Sequence, residues 1–291
     1  MTKILHISDL HFSSVTLNPF QIFSKRWIGN LNLFFFRKKQ IEPLLIDHFL
    51  KMVDSIKPDC ILISGDFTST ALAKEFKVAK DFLIELKKRK IAIYAVPGNH
   101  DAYTKKAFKK KAFYHHFKNL IPFKGEFGFD LENDYVTAFS IQKNLFLVLI
   151  DAACYTPYFQ ANGHFTFQIE QHLQSIFDLI PPTSKILLCC HFPFFQHEGP
   201  SRVLLGGKNL QELISRYSNI MIYFHGHTHR GTLCDLRDNG LPILSEPGSL
   251  TLKNKSAFHE ILIDDDQIII QRYQFDKKFH ITDTHYFKRN S

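Results

Sequence analysis

Histidine, aspartate and asparagine side chains follow five strand-like segments of the sequence. The densest group is FHGHTHRG, residues 224–231, which places three histidines at alternate positions. Earlier apolar segments end in similar groups, and the polar residues that follow them are Asp9, His11, Asp66, Asn99, His100, Asp101 and His191. Because the carboxyl ends of strands in an open α/β sheet face one crevice, we expect these side chains to converge.

The candidate donors are a mixture of oxygen and nitrogen atoms, which suits manganese, iron, cobalt or zinc better than calcium. Two aspartates, one asparagine and four histidines are too many for one ion, but they would fill two sites if one carboxylate bridged them. We therefore predict two divalent cations, with manganese as the preferred ion. Glycines beside several donors, Gly65, Gly98 and Gly226, allow sharp turns and close approach of the backbone.

The order of apolar segments predicts the scaffold for these residues. Apolar runs alternate with segments of helical periodicity as far as residue 224, which indicates a sheet covered by helices. After Gly231 the pattern changes to short strands and turns. We predict one α/β domain over residues 1–275 that contains two sheets. A helical insertion should follow the first strand, and residues 276–291 should form a loosely held polar tail.

Five short motifs resemble those of the calcineurin-like metallophosphoesterase superfamily. They are SDLHF, SGDF, PGNHD, CCHFPFF and GHTHR, and they occur in the family's order. The later EPGSL, residues 246–250, also resembles a loop that follows the last ligand motif. The resemblance implies a fold that is a four-layer α/β/β/α sandwich of two mixed sheets flanked by helices. It also implies a first ion held by Asp9, His11 and His229, a second held by Asn99, His191 and His227, and Asp66 as the bridge between them.

The same resemblance implies hydrolysis of a phosphoester by a hydroxide that two cations activate and aim at phosphorus. His100 matches the family's non-ligand histidine, which stabilises the transition state or protonates the leaving group. His225 matches no family ligand, so we expect it to support the site. Asp101 could orient an imidazole or cap a helix. Asp101, Tyr103 and Arg230 are also candidate substrate contacts, with a solvated side chain as the alternative for Arg230.

The basic residues are concentrated in two segments. The formal net charge is +8, yet without ten lysines and arginines between residues 25–39 and 105–111 the chain would have 26 basic and 28 acidic residues. In the first segment, aromatic and apolar residues recur on one helical face, which predicts an amphipathic helix over residues 17–39. Such a helix suits a membrane interface or a lid over acyl chains, and packing onto its own domain is the alternative. The second segment, 102–122, is predicted as a basic helical segment.

The position of the first segment directs the substrate hypothesis. Because it leaves the scaffold directly after the first two donors, it must lie beside the metal crevice. We predict a lipid-linked nucleotide such as UDP-2,3-diacylglucosamine, cleaved at a phosphodiester or diphosphate bond. A soluble phosphodiesterase, for example one that acts on cyclic nucleotides, is the alternative. The two basic segments could also bind nucleic acid, because contact with phosphates releases counterions. However, the sequence contains no nucleic-acid-binding module that we recognise. A non-catalytic scaffold conflicts with the intact set of donors and His100.

Composition also predicts the compartment. No leader resembling a signal peptide precedes the first strand, and no apolar run reaches the roughly 18–20 residues needed to span a bilayer. We therefore expect a cytoplasmic protein, on the cytoplasmic face of the membrane if residues 17–39 bind lipid. The five cysteines form no CxxC pair, so we expect neither disulfides nor a thiolate zinc site, but buried apolar side chains.

Overall fold

The computed structural model describes residues 1–14, 44–195, 199–253 and 256–288. Its strands are β1 (Thr2–Ile7), β2 (Cys60–Ile63), β3 (Ala92–Ala95), β4 (Val136–Gln142), β5 (Leu145–Ile150), β6 (Gly163–His164), β7 (Lys185–Cys190), β8 (Leu204–Leu205), β9 (Ile220–Phe224), β10 (Leu233–Cys234), β11 (Ile243–Ser245), β12 (Ala257–Ile263), β13 (Gln267–Asp276) and β14 (Lys278–Lys288). Its helices are α1 (Leu44–Ile56), α2 (Ala73–Lys88), α3 (Lys105–Lys109), α4 (Ala112–Phe117), α5 (Leu131–Asp134), α6 (Phe167–Leu179) and α7 (Gly207–Ile214). The insertion predicted at residues 17–39 lies outside the described residues.

Two mixed six-stranded sheets form the centre of the structure. The first has the strand order β14-β13-β12-β1-β2-β3, with β1, β2 and β3 parallel and the other pairings antiparallel. The second has the order β10-β11-β9-β7-β5-β4, in which β11, β9, β7 and β5 are parallel. Strands β6 and β8 form a separate parallel pair.

The packing of β5 shows how the layers are arranged. Leu147 and Leu149 belong to the core cluster that contains the first sheet and helices α1 and α2. Their neighbours Val148 and Ile150 point to the other side, into a cluster with α6 and α7. Since successive residues of a strand face opposite sides of the sheet, the second sheet separates the first sheet from α6 and α7. The predicted α/β/β/α fold with two mixed sheets is confirmed.

The basic helical segment at 102–122 contains two short helices, α3 and α4. Thr104 caps α3 by accepting a hydrogen bond from the backbone N–H of Ala107. The break falls at Lys111, whose φ of 48° is in the left-handed region that ends a right-handed helix. The Lys111 ammonium donates to the carbonyl of Glu132 and the side-chain oxygen of Asn133, which holds this turn in place.

The loosely held tail predicted from residue 276 is instead an edge strand over most of its length. Strand β14 pairs with β13 from Lys278, opposite Asp276, to Lys288, opposite Gln267. Phe279 and Phe287 are buried in the core cluster of the first sheet. Because most of the other residues of β14 are exposed, its sequence lacks the apolar alternation that usually identifies a strand.

The five cysteines differ in burial. All five are free; Cys60, Cys189 and Cys190 are buried, as predicted, whereas Cys154 and Cys234 are partly exposed. Within the described ranges, each helix is too short or too polar to cross a lipid bilayer.

A buried hydrogen-bonded chain connects the two sheets behind the ligand loops. On β1, Nε2 of His6 is 2.8 Å from the hydroxyl of Ser64, and Nδ1 of His6 is 3.1 Å from the hydroxyl of Ser245. The same Ser245 hydroxyl lies 2.9 Å from Nδ1 of His259 on β12. Burial lowers the pKa of His6 well below its usual value and the pKa of His259 to about 3. Both imidazoles are therefore neutral near pH 7.

The buried imidazole of His259 predicts a loss of stability in mild acid. His259→Asn should reduce that loss. The unfolded chain protonates His259 below its ordinary pKa of about 6.5, whereas the folded chain does so only near pH 3. The contribution of neutral His259 to the free energy of unfolding is therefore complete above pH 6.5 and decreases as the pH falls towards 3. At pH 5 it is about 2 kcal/mol smaller than its full value. Urea unfolding with chelator present should show the wild type losing about 2 kcal/mol more than His259→Asn between pH 7 and 5. An equal loss in both proteins would contradict this role.

Candidate functional site

The seven predicted donors come from loops at the carboxyl ends of five strands. Three strands of the first sheet, β1, β2 and β3, lead into the loops with Asp9 and His11, with Asp66, and with Asn99. Two strands of the second sheet, β7 and β9, lead into His191 and the GHTH loop. The two sheets therefore present their ligand loops at one shared edge, as the sequence predicted.

The donors assigned to the first ion lie within a few ångströms of one another. Nε2 of His229 is 2.9 Å from Oδ1 of Asp9 and 3.1 Å from Nε2 of His11. Nε2 of His11 is 3.6 Å from Oδ1 of Asp9. Two atoms that bind one ion at about 2.1 Å each lie roughly 3 Å apart, so this spacing suits a common divalent cation.

The donors assigned to the second ion form two close pairs. Oδ1 of Asn99 lies 2.9 Å from Nδ1 of His227, and Nε2 of His191 lies 3.4 Å from Oδ2 of Asp66. The rings of His191 and His227 connect the two pairs, with centroids 5.3 Å apart. Nδ1 of His191 donates to the carbonyl of Ser64 at 2.7 Å, which fixes its tautomer and leaves Nε2 directed at Asp66.

Asp66 lies between the two groups of donors. Its Oδ2 is 3.8 Å from Nε2 of His11 on one side and 3.4 Å from Nε2 of His191 on the other. Its Oδ1 accepts a hydrogen bond from the backbone N–H of His100 at 2.8 Å, so the carboxylate is fixed in orientation. One oxygen of Asp66 is thus placed to reach two ions.

Burial and charge at this site fit divalent cations. Asp9 and Asp66 are almost completely buried, which opposes ionisation, but the neighbouring histidines outweigh burial and hold the pKa of both carboxyls well below the usual range. Burial lowers the pKa of His227 to about 3, so its imidazole is neutral and able to bind a metal. Nε2 of His191, the nitrogen that faces Asp66, is buried without a hydrogen-bond partner among the described residues. Such atoms are costly to bury unless a ligand compensates them.

Most of the donor loops hold an unfavourable backbone conformation. Five donors have φ values of 44° to 74°, in the left-handed region: Asp9, His11, Asp66, His227 and His229. For residues other than glycine this conformation costs of the order of 1 kcal/mol or more, and it persists only where the surroundings enforce it. Gly98 is required nearby, because a Cβ there would lie 2.1 Å from Oδ1 of Asp66. The geometry of the donors is therefore maintained by the packing around them.

His100 lies at the edge of this cluster. Its Nδ1 is 2.6 Å from the backbone carbonyl of Ser69, so Nδ1 carries the proton of the neutral imidazole. Its ring is 4.8 Å from the ring of His11 and stacks on Tyr103 at 5.4 Å with an interplanar angle of 14°. The bond from Nδ1 to the carbonyl of Ser69 and the stacking on Tyr103 both fix the orientation of the His100 ring.

The three residues predicted as substrate contacts occupy different positions. Tyr103 is buried against His100 and orients its ring. Asp101 is also buried, and its carboxylate accepts hydrogen bonds from the backbone N–H groups of Phe67, Thr68 and Gly98 and from the Thr68 hydroxyl. Burial raises the pKa of Asp101 to about 7, with nearby Asp66 adding to it.

The carboxylate of Asp101 thus joins the loop after β3 to the loop after β2. Among the described residues it hydrogen-bonds neither to an imidazole nor to the first turn of a helix, the two alternatives that the sequence left open. Arg230 alone of the three has an exposed side chain, beside the donor His229.

His225 is fully buried beneath the GHTH loop, consistent with the supporting role predicted for it. Sequence reasoning missed the contributions of Ser64 and Ser69, because both act through backbone carbonyl groups that any residue type possesses. It also missed Asp151, a buried acid directly after β5 that accepts a hydrogen bond from Tyr114. The signal was the one used for the donors, a carboxylate at a strand end.

The comparisons with known proteins agree with this geometry. A family model described as calcineurin-like phosphoesterase matches residues 2–231. A protein of Arcobacter nitrofigilis named probable glycerophosphodiester phosphodiesterase GpdQ is 22% identical over 179 residues, which cover 60% of this chain and 58% of that protein. The match therefore spans less than two thirds of that relative.

Two solved structures have the same fold. A dimetal phosphatase from Danio rerio gives a TM-score of 0.69 at 14% identity, with 99% of this chain and 98% of that chain covered. The purple acid phosphatase PPD1 from yellow lupin (Lupinus luteus) seeds gives a TM-score of 0.60 at 10% identity, with 99% of this chain and 54% of that chain covered.

Proposed function

Since the chain belongs to the calcineurin-like phosphoesterase family, whose members are hydrolases of phosphoester bonds, we propose that it is a two-metal phosphodiesterase. The observation that carries this proposal is the position of Asp66, with Oδ2 between Nε2 of His11 and Nε2 of His191. Asp9, His11 and His229 would hold one ion, and Asn99, His191 and His227 the other. The mixed oxygen and nitrogen donors suit manganese, with iron, zinc or cobalt as alternatives.

When bound, two such cations would supply an activated water molecule and stabilise the charge that develops on the phosphoryl oxygens. The chain itself supplies the proton. Nδ1 of His100 is committed to the carbonyl of Ser69, so in the imidazolium form Nε2 carries the second proton and can donate it to the departing oxygen. We propose that Arg230, the residue after the donor His229 and exposed on the surface, binds a substrate phosphate.

Proton donation by His100 suits a phosphoester with an alkyl leaving group, and the name of the matched relative points to a diester. An alkoxide is a poor leaving group, so its oxygen needs a proton as the bond to phosphorus breaks. His100 would provide this proton. The probable glycerophosphodiester phosphodiesterase supports the same class of substrate. We propose a small phosphodiester as the substrate class.

The lipid-linked nucleotide is a narrower form of the same proposal. It rests on the amphipathic sequence of residues 17–39, which lie outside the described residues. The proposals of an acylated substrate and of contact with the cytoplasmic face of a membrane rest on the same sequence. A soluble phosphodiesterase that acts on cyclic nucleotides is the competing form.

A substrate panel with added Mn²⁺ tests the class and separates these forms. We expect turnover of bis(p-nitrophenyl) phosphate and glycerophosphodiesters to exceed turnover of the monoester p-nitrophenyl phosphate by about tenfold or more. UDP-2,3-diacylglucosamine and 3′,5′-cyclic nucleotides complete the panel. A chain that cleaves only the monoester would contradict the diester class. If the lipid form is correct, deletion of residues 17–36 should spare the aryl diester and abolish action on the acylated substrate, whereas equal effects on both would refute it.

A further inference from the structure

The segment Glu246–Thr251 supplies no predicted metal donor, yet it contacts both loops that supply the first ion. We infer that this segment is a positioning device for Asp9, His11 and His229, and that Glu246 sets the affinity of the first ion selectively. The inference rests on the proposed function, because it presupposes that these three residues bind a metal.

Glu246 holds the loop that carries His229. It is fully buried, and its Oε2 accepts hydrogen bonds from three consecutive backbone N–H groups, those of Arg230, Gly231 and Thr232, at 3.1, 2.7 and 3.2 Å. Its own N–H donates to the carbonyl of Thr232 at 2.8 Å. A single carboxylate oxygen therefore fixes the chain immediately after His229.

The following residues hold the loop that carries Asp9 and His11. The hydroxyl of Ser249 donates to the carbonyl of Asp9 at 2.6 Å, and the hydroxyl of Thr251 donates to the carbonyl of Leu10 at 2.6 Å. The backbone N–H of Leu250 donates to the carbonyl of Ser8 at 3.1 Å. Ser249 and Thr251 are as completely buried as Glu246, so these bonds are shielded from water.

These contacts bear on metal affinity because the donors are strained. Asp9, His11 and His229 have φ values of 54°, 44° and 53°, so each would relax to a more common conformation if its loop were released. From β13, the Arg272 guanidinium adds a bond to the carbonyl of Gly231 at 2.8 Å and lies so close that a Cβ on Gly231 would approach Nη2 to 2.2 Å.

Two of the three donors of the second ion depend on other contacts. The third, His227, shares the loop of His229 but lies three residues before Arg230, the first residue whose N–H group Glu246 binds. His191 is oriented by the carbonyl of Ser64, and the loop of Asn99 is tied by Asp101. Loss of Glu246 should therefore weaken the first ion more than the second.

Calorimetric titration of Mn²⁺ into the chelator-treated, full-length chain tests this directly. Glu246→Ala removes the acceptor for three buried N–H groups, and we expect one of the two ions to bind about 10- to 100-fold more weakly while the other is unchanged. Glu246→Gln keeps one oxygen acceptor and should retain most of the affinity. Glu260→Gln, which alters a buried glutamate that accepts a hydrogen bond from Tyr273, is the matched control and should bind both ions like the wild type.

Double variants assign the weakened ion to a site. In a His229→Ala background, where the first site is already damaged, Glu246→Ala should have little additional effect. In a His191→Ala background, it should retain its full effect on the remaining ion. If Glu246→Ala binds both ions with wild-type affinity, or weakens both equally, the inference is overturned.

Ser249→Ala provides an independent decision if Glu246→Ala does not fold. It removes only the bond to the carbonyl of Asp9, and we expect a smaller loss for the same ion; wild-type affinity for both ions would refute the inference. A wild-type chain that binds fewer than two ions would contradict the proposed function itself, which this titration reveals before any variant is compared.

Discussion

Asp66→Asn should lower the turnover of a phosphodiester by about 10³-fold or more and reduce the bound cations from two to one. Asparagine preserves the size of the side chain but replaces the anionic oxygen that lies 3.8 Å from Nε2 of His11 and 3.4 Å from Nε2 of His191. The native carboxyl is ionised because nearby histidines outweigh its burial and hold its pKa well below the usual range. An amide carries no charge to share between two cations.

The substitution leaves the link to the loop after β3 in place, since the amide oxygen of asparagine can accept the same bond from the backbone N–H of His100. Metal content by mass spectrometry and kcat/KM should be measured on the same preparation. Asp81→Asn, on the exposed face of α2, is the matched control and should match the wild type in both measurements. Two bound ions together with activity within about tenfold of the wild type would show that Asp66 does not bridge the site.

His100→Ala should have the second largest effect, a loss of about 10² to 10⁴-fold in kcat with both ions retained. His100 is not among the predicted donors, and in the proposed mechanism its Nε2 transfers the proton while its Nδ1 is bound to the carbonyl of Ser69. The loss should depend on the leaving group, because an alkoxide needs a proton and p-nitrophenolate does not. We therefore expect a larger loss on a glycerophosphodiester than on bis(p-nitrophenyl) phosphate.

The pH dependence separates this role from a structural one. The limb of the kcat profile that reports the general acid should disappear in His100→Ala, while metal content and thermal stability stay close to those of the wild type. Equal losses on both diesters, or loss of a metal ion, would assign His100 to binding or metal coordination instead.

The donors could be predicted from sequence because strand ends are visible as boundaries between apolar runs and polar residues. Parallel strands bring such boundaries to one edge, so Asp9, Asp66 and His191 converge even though the chain separates them widely. Two sheets were predicted because the alternation of apolar runs and helical segments gives way after Gly231 to short strands and turns. The edge strand β14 was not, because only a few of its side chains, such as Phe279 and Phe287, are buried.

The supports of the donors were less visible in the sequence. Ser64 and Ser69 act through carbonyl groups, and the left-handed conformation of donors such as His227 follows from tertiary packing and not from residue type. For Asp101, the local position after His100 indicated either contact with an imidazole or a helix cap. Its hydrogen bonds to Phe67 and Thr68 depend on the pairing of β2 with β3, which brings two loops together.

Anomalous diffraction from crystals of the full-length chain grown with Mn²⁺ is the most direct test of the two-ion site. We expect two anomalous peaks, both within about 2.0–2.5 Å of an oxygen of Asp66, one surrounded by Asp9, His11 and His229 and the other by Asn99, His191 and His227. A single peak at full occupancy, or two peaks of which one makes no contact with Asp66, would contradict a carboxylate-bridged pair of cations.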